Sequence, residues 1–169
     1  LMLSATKIES LRMATINDFL QKFPTLNNGY VTLATKLLAN GEVAEADKTL
    51  QQAIAKTTAK DEAHYNYGRL IFQGVTTAAI ADKAKAQGWT LDKAMNEANE
   101  AYKLNPAPVY KHLQAQIVYT KGNYQQAYTD FETLTNTPIK NPELYLEMAQ
   151  CQEKLNASNE AVLALLNQC

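Results

Sequence analysis

Residues 27–58, NNGYVTLATKLLANGEVAEADKTLQQAIAKTT, decide the fold. Tyr30, Leu33, Ala34 and Leu37 fall at i, i+3, i+4 and i+7, one stripe of a helix. Gly41 stands where that helix should end, because glycine takes the left-handed backbone of a C-terminal cap without steric cost. Ala46, Leu50 and Ala53 make a stripe on a second helix. The loop between is only a few residues, so the two helices are expected to lie antiparallel. Ala34 should face Ala46, and the lack of bulk there lets the axes approach near the lower end of ~8–10 Å.

The pattern returns downstream at a constant step. Ala34 and Gly68, Ala115 and Ala149, Ala127 and Ala161, and Pro108 and Pro142 are each 34 residues apart. A period of this size marks helix hairpins stacked into a solenoid. In the second copy His64, Tyr67, Gly68 and Ile71 fill the slots of Tyr30, Leu33, Ala34 and Leu37. Its second helix comes late, with Thr90 as N-cap, Trp89 expected to staple near Ala94, and Ala94, Ala98 and Ala101 repeating the earlier stripe. Ala94 follows Ala46 by 48 residues, so 14 are inserted, around Gly74 to Gln87. Thr77 to Ala86 reads as helical within that insert, after a β-branched Val75-Thr76-Thr77 that disfavours simple helix continuation.

The third copy carries Tyr110, Leu113 and Ile117, then Ala127, Phe131 and Leu134. Its first helix is ambiguous by register, since Ala115 fits the small slot and Leu113 the apolar one. Gly122-Asn123 makes its turn, and Asn123 with Gln126 resembles a capping box. The fourth carries Tyr145, Met148, Ala149 and Gln152, then Ala161 and Leu165. Ile16, Phe19, Leu20 and Phe23 give one more amphipathic helix, stopped by Pro24 and expected to pack near Gly29. The organisation expected is a single domain over 1–169: an N-terminal helix (1–26), then repeats at 27–60, 61–107 (insert about 74–87), 108–141 and 142–169, the last truncated.

Composition narrows the function. The chain has 169 residues, 46% hydrophobic and 20% charged, with 16 basic and 17 acidic side chains for a net charge of −1. With no Lys/Arg run and a pI near 6.2, nothing marks a nucleic-acid surface. No apolar stretch is long enough to span a bilayer, and no signal peptide is visible. Abundant Asn, Gln and Thr with sparse Lys and Arg lean towards the cell envelope. The first residue is not Met and the last lie inside an apolar helical pattern, so the chain reads as part of a longer protein. Cys151 and Cys169 fall roughly 10 Å apart along antiparallel axes at 1.5 Å per residue, beyond disulfide reach, and are expected as free thiols.

The residues quoted resemble the tetratricopeptide repeat (TPR): an aromatic, a Leu with a small residue, a turn Gly, then Ala, a large apolar residue and a closing Pro. Asn27–Thr58 and Leu144–Gln168 match best, and Asn66-Tyr67-Gly68 and Tyr102-Lys103-Leu104-Asn105-Pro106 carry the pattern strongly. The resemblance implies an all-α, right-handed superhelix of antiparallel helix pairs, a TPR-like α-solenoid. It implies that first helices line a concave groove that takes a peptide or protein segment. Carried over by position, that groove is lined by Val31, Thr35 and Leu38, by Tyr65, Arg69 and Phe72, by His112, Gln116 and Tyr119, and by Leu146, Gln150 and Glu153. Only Asn66 survives from the Lys/Asn set with which some TPR domains clamp a chaperone's C-terminal carboxylate, so no such clamp is expected.

Chemistry is not expected. No Ser/His/Asp order, phosphate loop or Cys/His pairing appears, so no catalytic residue and no cofactor are assigned. His64 and His112 lack two further ligands at zinc spacing, and no metal is assigned. His64 reads as a satisfied, half-buried histidine in an aromatic slot. Asp61-Glu62 and Asn96-Glu97-Ala98-Asn99-Glu100 read as helix-start charge and a solvated face. Val162, Leu166 and Cys169 leave a second apolar stripe at the end, which predicts a homodimer through the C-terminal helix or a further covering helix.

Overall fold

A computed structural model describes residues 5–137 and 141–168. Their regular structure is entirely helical: α1 (Ala5–Lys22), α2 (Asn27–Ala39), α3 (Val43–Lys56), α4 (Lys60–Thr76), α5 (Ala81–Ala86), α6 (Leu91–Leu104), α7 (Pro108–Thr120), α8 (Tyr124–Thr135), α9 (Pro142–Lys154) and α10 (Asn159–Leu166). The helices fall into two compact units, Leu1–Leu104 and Asn105–Cys169.

In the first unit α2 pairs with α3 and α4 with α6, while α1 lies on α2 and α5 on α4. Gly41 closes the first hairpin at φ +74°, where its amide meets Leu38 O at 2.9 Å and that of Glu42 meets Leu37 O at 2.8 Å. These two bonds satisfy carbonyls the helix end leaves open, and α3 starts on the next residue. Ala34 and Ala46 are both fully buried. At Gly68 the approach is closer still. A Cβ there would sit 2.9 Å from Ala94 O and 3.2 Å from Ala98 N, so only glycine lets α4 and α6 meet at this height. α1 packs where Phe19 and Leu20 cover Gly29, leaving Phe23 half exposed.

The insert is part helix, part clasp. α4 runs on to Thr76 before the extended Thr77, and the expected helix over 77–86 is confined to Ala81–Ala86. Thr90 caps α6 by accepting from Lys93 N at 3.0 Å. Trp89, expected to lie near Ala94, is 1% exposed with its six-membered ring against Gly74, where a Cβ would fall 2.7 Å from it. Its indole N–H donates to Asp47 Oδ1 at 2.5 Å.

Asp47 is the centre of this unit. It lies on α3 and is 5% exposed. Oδ1 also accepts from Tyr67 Oη at 2.5 Å and Lys93 Nζ at 3.1 Å. Oδ2 accepts from Gln51 at 2.8 Å and Gln87 at 3.4 Å. Lys93 Nζ stands 5.0 Å from the Tyr67 ring centroid, a cation–π contact. Burial alone would raise the Asp47 carboxyl. The bonds from Tyr67, Trp89 and Lys93, with the Lys93 charge, outweigh it and hold the carboxyl below its usual range. Lys93 is pushed up in turn: burial opposes the shift, and the Tyr67 and Asp47 bonds overcome it.

In the second unit α7 pairs with α8 and α9 with α10, and α8 lies on α9. Ala115, Ala127, Phe131, Leu134, Leu144, Met148 and Cys151 form the core. The register ambiguity in α7 resolves because Leu113 and Ala115 are both buried. Gly122 closes the first hairpin at φ +86° with the bond pair seen at Gly41. The capping box does not form, since Asn123 makes no side-chain cap bond and Gln126 reaches instead to Asp130 at 3.2 Å.

The last hairpin departs from the constant step. Asn156 turns it at φ 57°, and Ser158 then caps α10 by accepting from Ala161 N at 3.3 Å. That adds one residue, so α10 starts 35 residues after α8 and not 34. A one-residue slip rotates a helix by roughly 100°. Ala161, expected in the core, is therefore exposed, and Val162 is buried in its place. Cys169 lies outside the described residues.

Asp47→Ala is expected to cost about 3–5 kcal/mol in urea unfolding at neutral pH, because it strands Lys93, Trp89 and Tyr67. The folded carboxyl titrates below its unfolded value, so its contribution is complete above about pH 4 and is lost as pH falls through the lower, folded value. The Asp47→Asn variant should show a shallower acid limb than the parent in a pH series of melts.

Candidate functional site

Four first helices were expected to present a groove: α2 and α4 in the first unit, α7 and α9 in the second. On α2, Thr35 is exposed and Val31 is partly buried. Leu38 is 4% exposed and belongs to the interior, which corrects its assignment to the groove. The adjacent Leu37 is buried too, because the apolar face of α2 is wider than a single stripe.

On α4 the spacing i, i+4, i+7 puts Tyr65, Arg69 and Phe72 along one face, all partly buried. The opposite residues Tyr67, Gly68, Leu70 and Ile71 carry the packing. Burial raises the Tyr65 hydroxyl, and the Arg69 charge opposes it without cancelling it. Arg69 Nη2 reaches Asn66 Oδ1 at 3.4 Å.

In the second unit α7 and α9 meet through a residue the sequence reading missed. Glu147 lies 2.6 Å from His112 Nε2, and its other oxygen accepts from Gln116 Nε2 at 2.7 Å. Two of the expected groove residues are thus fixed by one carboxylate. His112 also stands edge-on to Phe131, centroids 5.8 Å apart, and borders a cleft of about 150 Å³ with Pro108, Val109, Leu134, Thr137, Asn141 and Leu144. Tyr119 packs on the core and stands edge-on to Tyr124 at 5.2 Å. Burial raises its hydroxyl, helped by Cys151, Tyr124 and Glu153. Leu146, Gln150 and Glu153 are exposed along α9.

A matching pair exists in the first unit. His64 Nδ1 lies 2.7 Å from Glu97 on α6, with both side chains about one-fifth exposed. His64 is therefore the half-buried histidine expected, but Glu97 is not part of a solvated face. The signal was available: the partners lie 33 and 35 residues apart, one repeat give or take one residue. Among the described residues no group of three or more His, Cys, Asp or Glu could hold a metal ion, and no helix is long and apolar enough to cross a membrane.

No protein-family model matches the sequence, and no curated protein matches it. Solved structures do. The crystal structure of MamA superposes with a TM-score of 0.64 at 12% identity, covering 99% of this chain and 94% of that one. TTC0263, a thermophilic TPR protein from Thermus thermophilus, gives 0.65 at 15% identity over 95% of this chain and 83% of its own. The fold is all-α and that of the tetratricopeptide-repeat α-solenoids. At these identities the likeness is one of architecture, with the side chains along the first helices this chain's own.

Cys151 is a free thiol, fully buried, and burial with the nearby Glu147 pushes it up to about 11. Thiolate is the reactive form, so at neutral pH it should be populated roughly a hundredfold less than at an ordinary cysteine. In a Cys169→Ser background, a disulfide-exchange reagent should label Cys151 at the rate of unfolding, and denaturant should abolish the protection. Fast labelling of the native chain would contradict the burial.

Proposed function

We propose that the chain is a non-catalytic protein–protein interaction scaffold that binds a peptide or protein segment along the exposed faces of its first helices. The observation that carries this is α4. Tyr67, Gly68, Leu70 and Ile71 supply its packing, so the aromatic pair Tyr65 and Phe72 with Arg69 between them is not needed for the core. Tyr and Arg are among the residues that concentrate binding energy at interfaces. In the second unit, taken by itself, Leu146, Gln150 and Glu153 are exposed along α9 and are the candidate contacts there. The fold supports this reading by analogy, since solenoids present extended surfaces of this kind.

A second reading has its own observation. α10 leaves Leu163 56% and Leu166 38% exposed, a pair at i, i+3 that suits self-association of two copies. The two readings separate cleanly. Replacing Tyr65, Arg69 and Phe72 with alanine together should remove partner binding, with each true anchor worth about 2 kcal/mol or roughly thirtyfold in affinity. Oligomeric state should not change. Partner retention by that variant would overturn the groove reading. A clean monomer in light scattering at high concentration would overturn the assembly reading.

A further inference from the structure

Partly buried cations in this protein are usually neutralised. Lys93 and Lys111 each hold a largely buried aspartate, Asp47 and Asp130, at 3.1 Å. Lys60 donates to the Ile54 and Ala55 carbonyls at the end of α3. Arg69 is treated differently. Its one hydrogen bond among the described residues is the long one to the neutral Asn66 amide, at 3.4 Å, and no carboxylate there is within ion-pair distance. A guanidinium has five donors in a planar fork and does not lose its proton. The rest of that fork makes no hydrogen bond among the described residues, on a partly buried face that it shares with Tyr65 and Phe72.

We infer that the Tyr65–Arg69–Phe72 face of α4 recognises an acidic side chain, with an apolar residue beside it, on the segment that the scaffold binds. This rests on the groove reading above and gives it a charge class. A carboxylate matches the fork with two parallel bonds, and the flanking rings lower the local dielectric, which strengthens those bonds. The apolar neighbour fills the surface that Phe72 and Tyr65 leave open. A monoanion fits better than a phosphate, because the other cation on α4, Lys60, is committed to the α3 carbonyls.

The test uses the full chain and arrays of acetylated, amidated dodecapeptides rich in Leu and Tyr. Amidation removes the terminal carboxylate. Variable positions carry Glu in one series, Gln in a second and phosphoserine in a third, and hits are titrated by fluorescence anisotropy. The Glu series should bind roughly tenfold more tightly than the Gln series, with the difference shrinking as salt rises. Arg69→Gln should abolish the preference for Glu over Gln, weakening the Glu series about tenfold more than the Gln series, and Phe72→Ala should weaken both alike. Thermal melts by circular dichroism establish that each variant is folded. Equal binding of Glu and Gln, a preference that survives Arg69→Gln, or a preference confined to phosphoserine overturns the charge assignment and leaves the scaffold standing. Binding by no series overturns both.

Discussion

One backbone conformation governs this architecture: a single left-handed residue between paired helices. Gly41 and Gly122 adopt it at φ +74° and +86°. The two amides around each turn back onto the last free carbonyls of the helix, so the chain reverses with its polar groups satisfied. The next helix then begins at once, at Val43 and at Tyr124. So short a reversal leaves the second helix one place to lie, against the small residues of the first. The pair α4 and α6 is the exception: the chain between them runs through residues 77–90 and includes α5, and the close approach at Gly68 sets how the two helices meet.

The last hairpin shows how sensitive that economy is. Asn156 replaces glycine at the left-handed position, which for a residue with a Cβ costs about 1–2 kcal/mol, least for Asn and Asp. Ser158 then adds one residue as a cap. The local chemistry remains sound, with both turn bonds and a side-chain cap made. The rotation, however, is inherited by every residue of α10. Val162 enters the core, Ala161 leaves it, and Leu163 and Leu166 are turned outward. An apolar face at the end of α10 is thus the product of one inserted residue.

The repeats were legible because their signal is periodic and apolar. Ala34, Gly68, Ala115 and Ala149 are buried as the constant step requires. What the sequence hid was charge. Asp47, Glu97 and Glu147 look like ordinary acidic residues on helix faces, yet each is paired with a residue from another helix. Composition says how many charges exist but not which ones a neighbouring helix will desolvate. Leu38 was placed in the groove by its position within the repeat resemblance, whereas α2 buries a face broad enough to take it into the interior. The late second helix at Thr90 was readable from its cap, whereas Trp89 reaching Asp47, 42 residues away, follows from no local rule.

The contrast between Asp47 and Arg69 bears on why a helical repeat would bury charge at all. A buried ion pair is weak evidence of added stability, because desolvation offsets the attraction and an apolar residue of similar size often does as well. A carboxylate nevertheless demands donors from fixed directions. Tyr67, Gln87, Trp89 and Lys93 come from α4, from the loop after α5 and from α6, so a single acceptor on α3 sets the height and rotation of the elements around the insert. Apolar packing alone would tolerate sliding there, since Ala94, Ala98 and Ala101 offer little shape to resist it. Neutralising one charge with five convergent donors specifies a structure. On the same helix as Tyr67, Arg69 meets no such set: among the described residues its bond is the 3.4 Å one to Asn66.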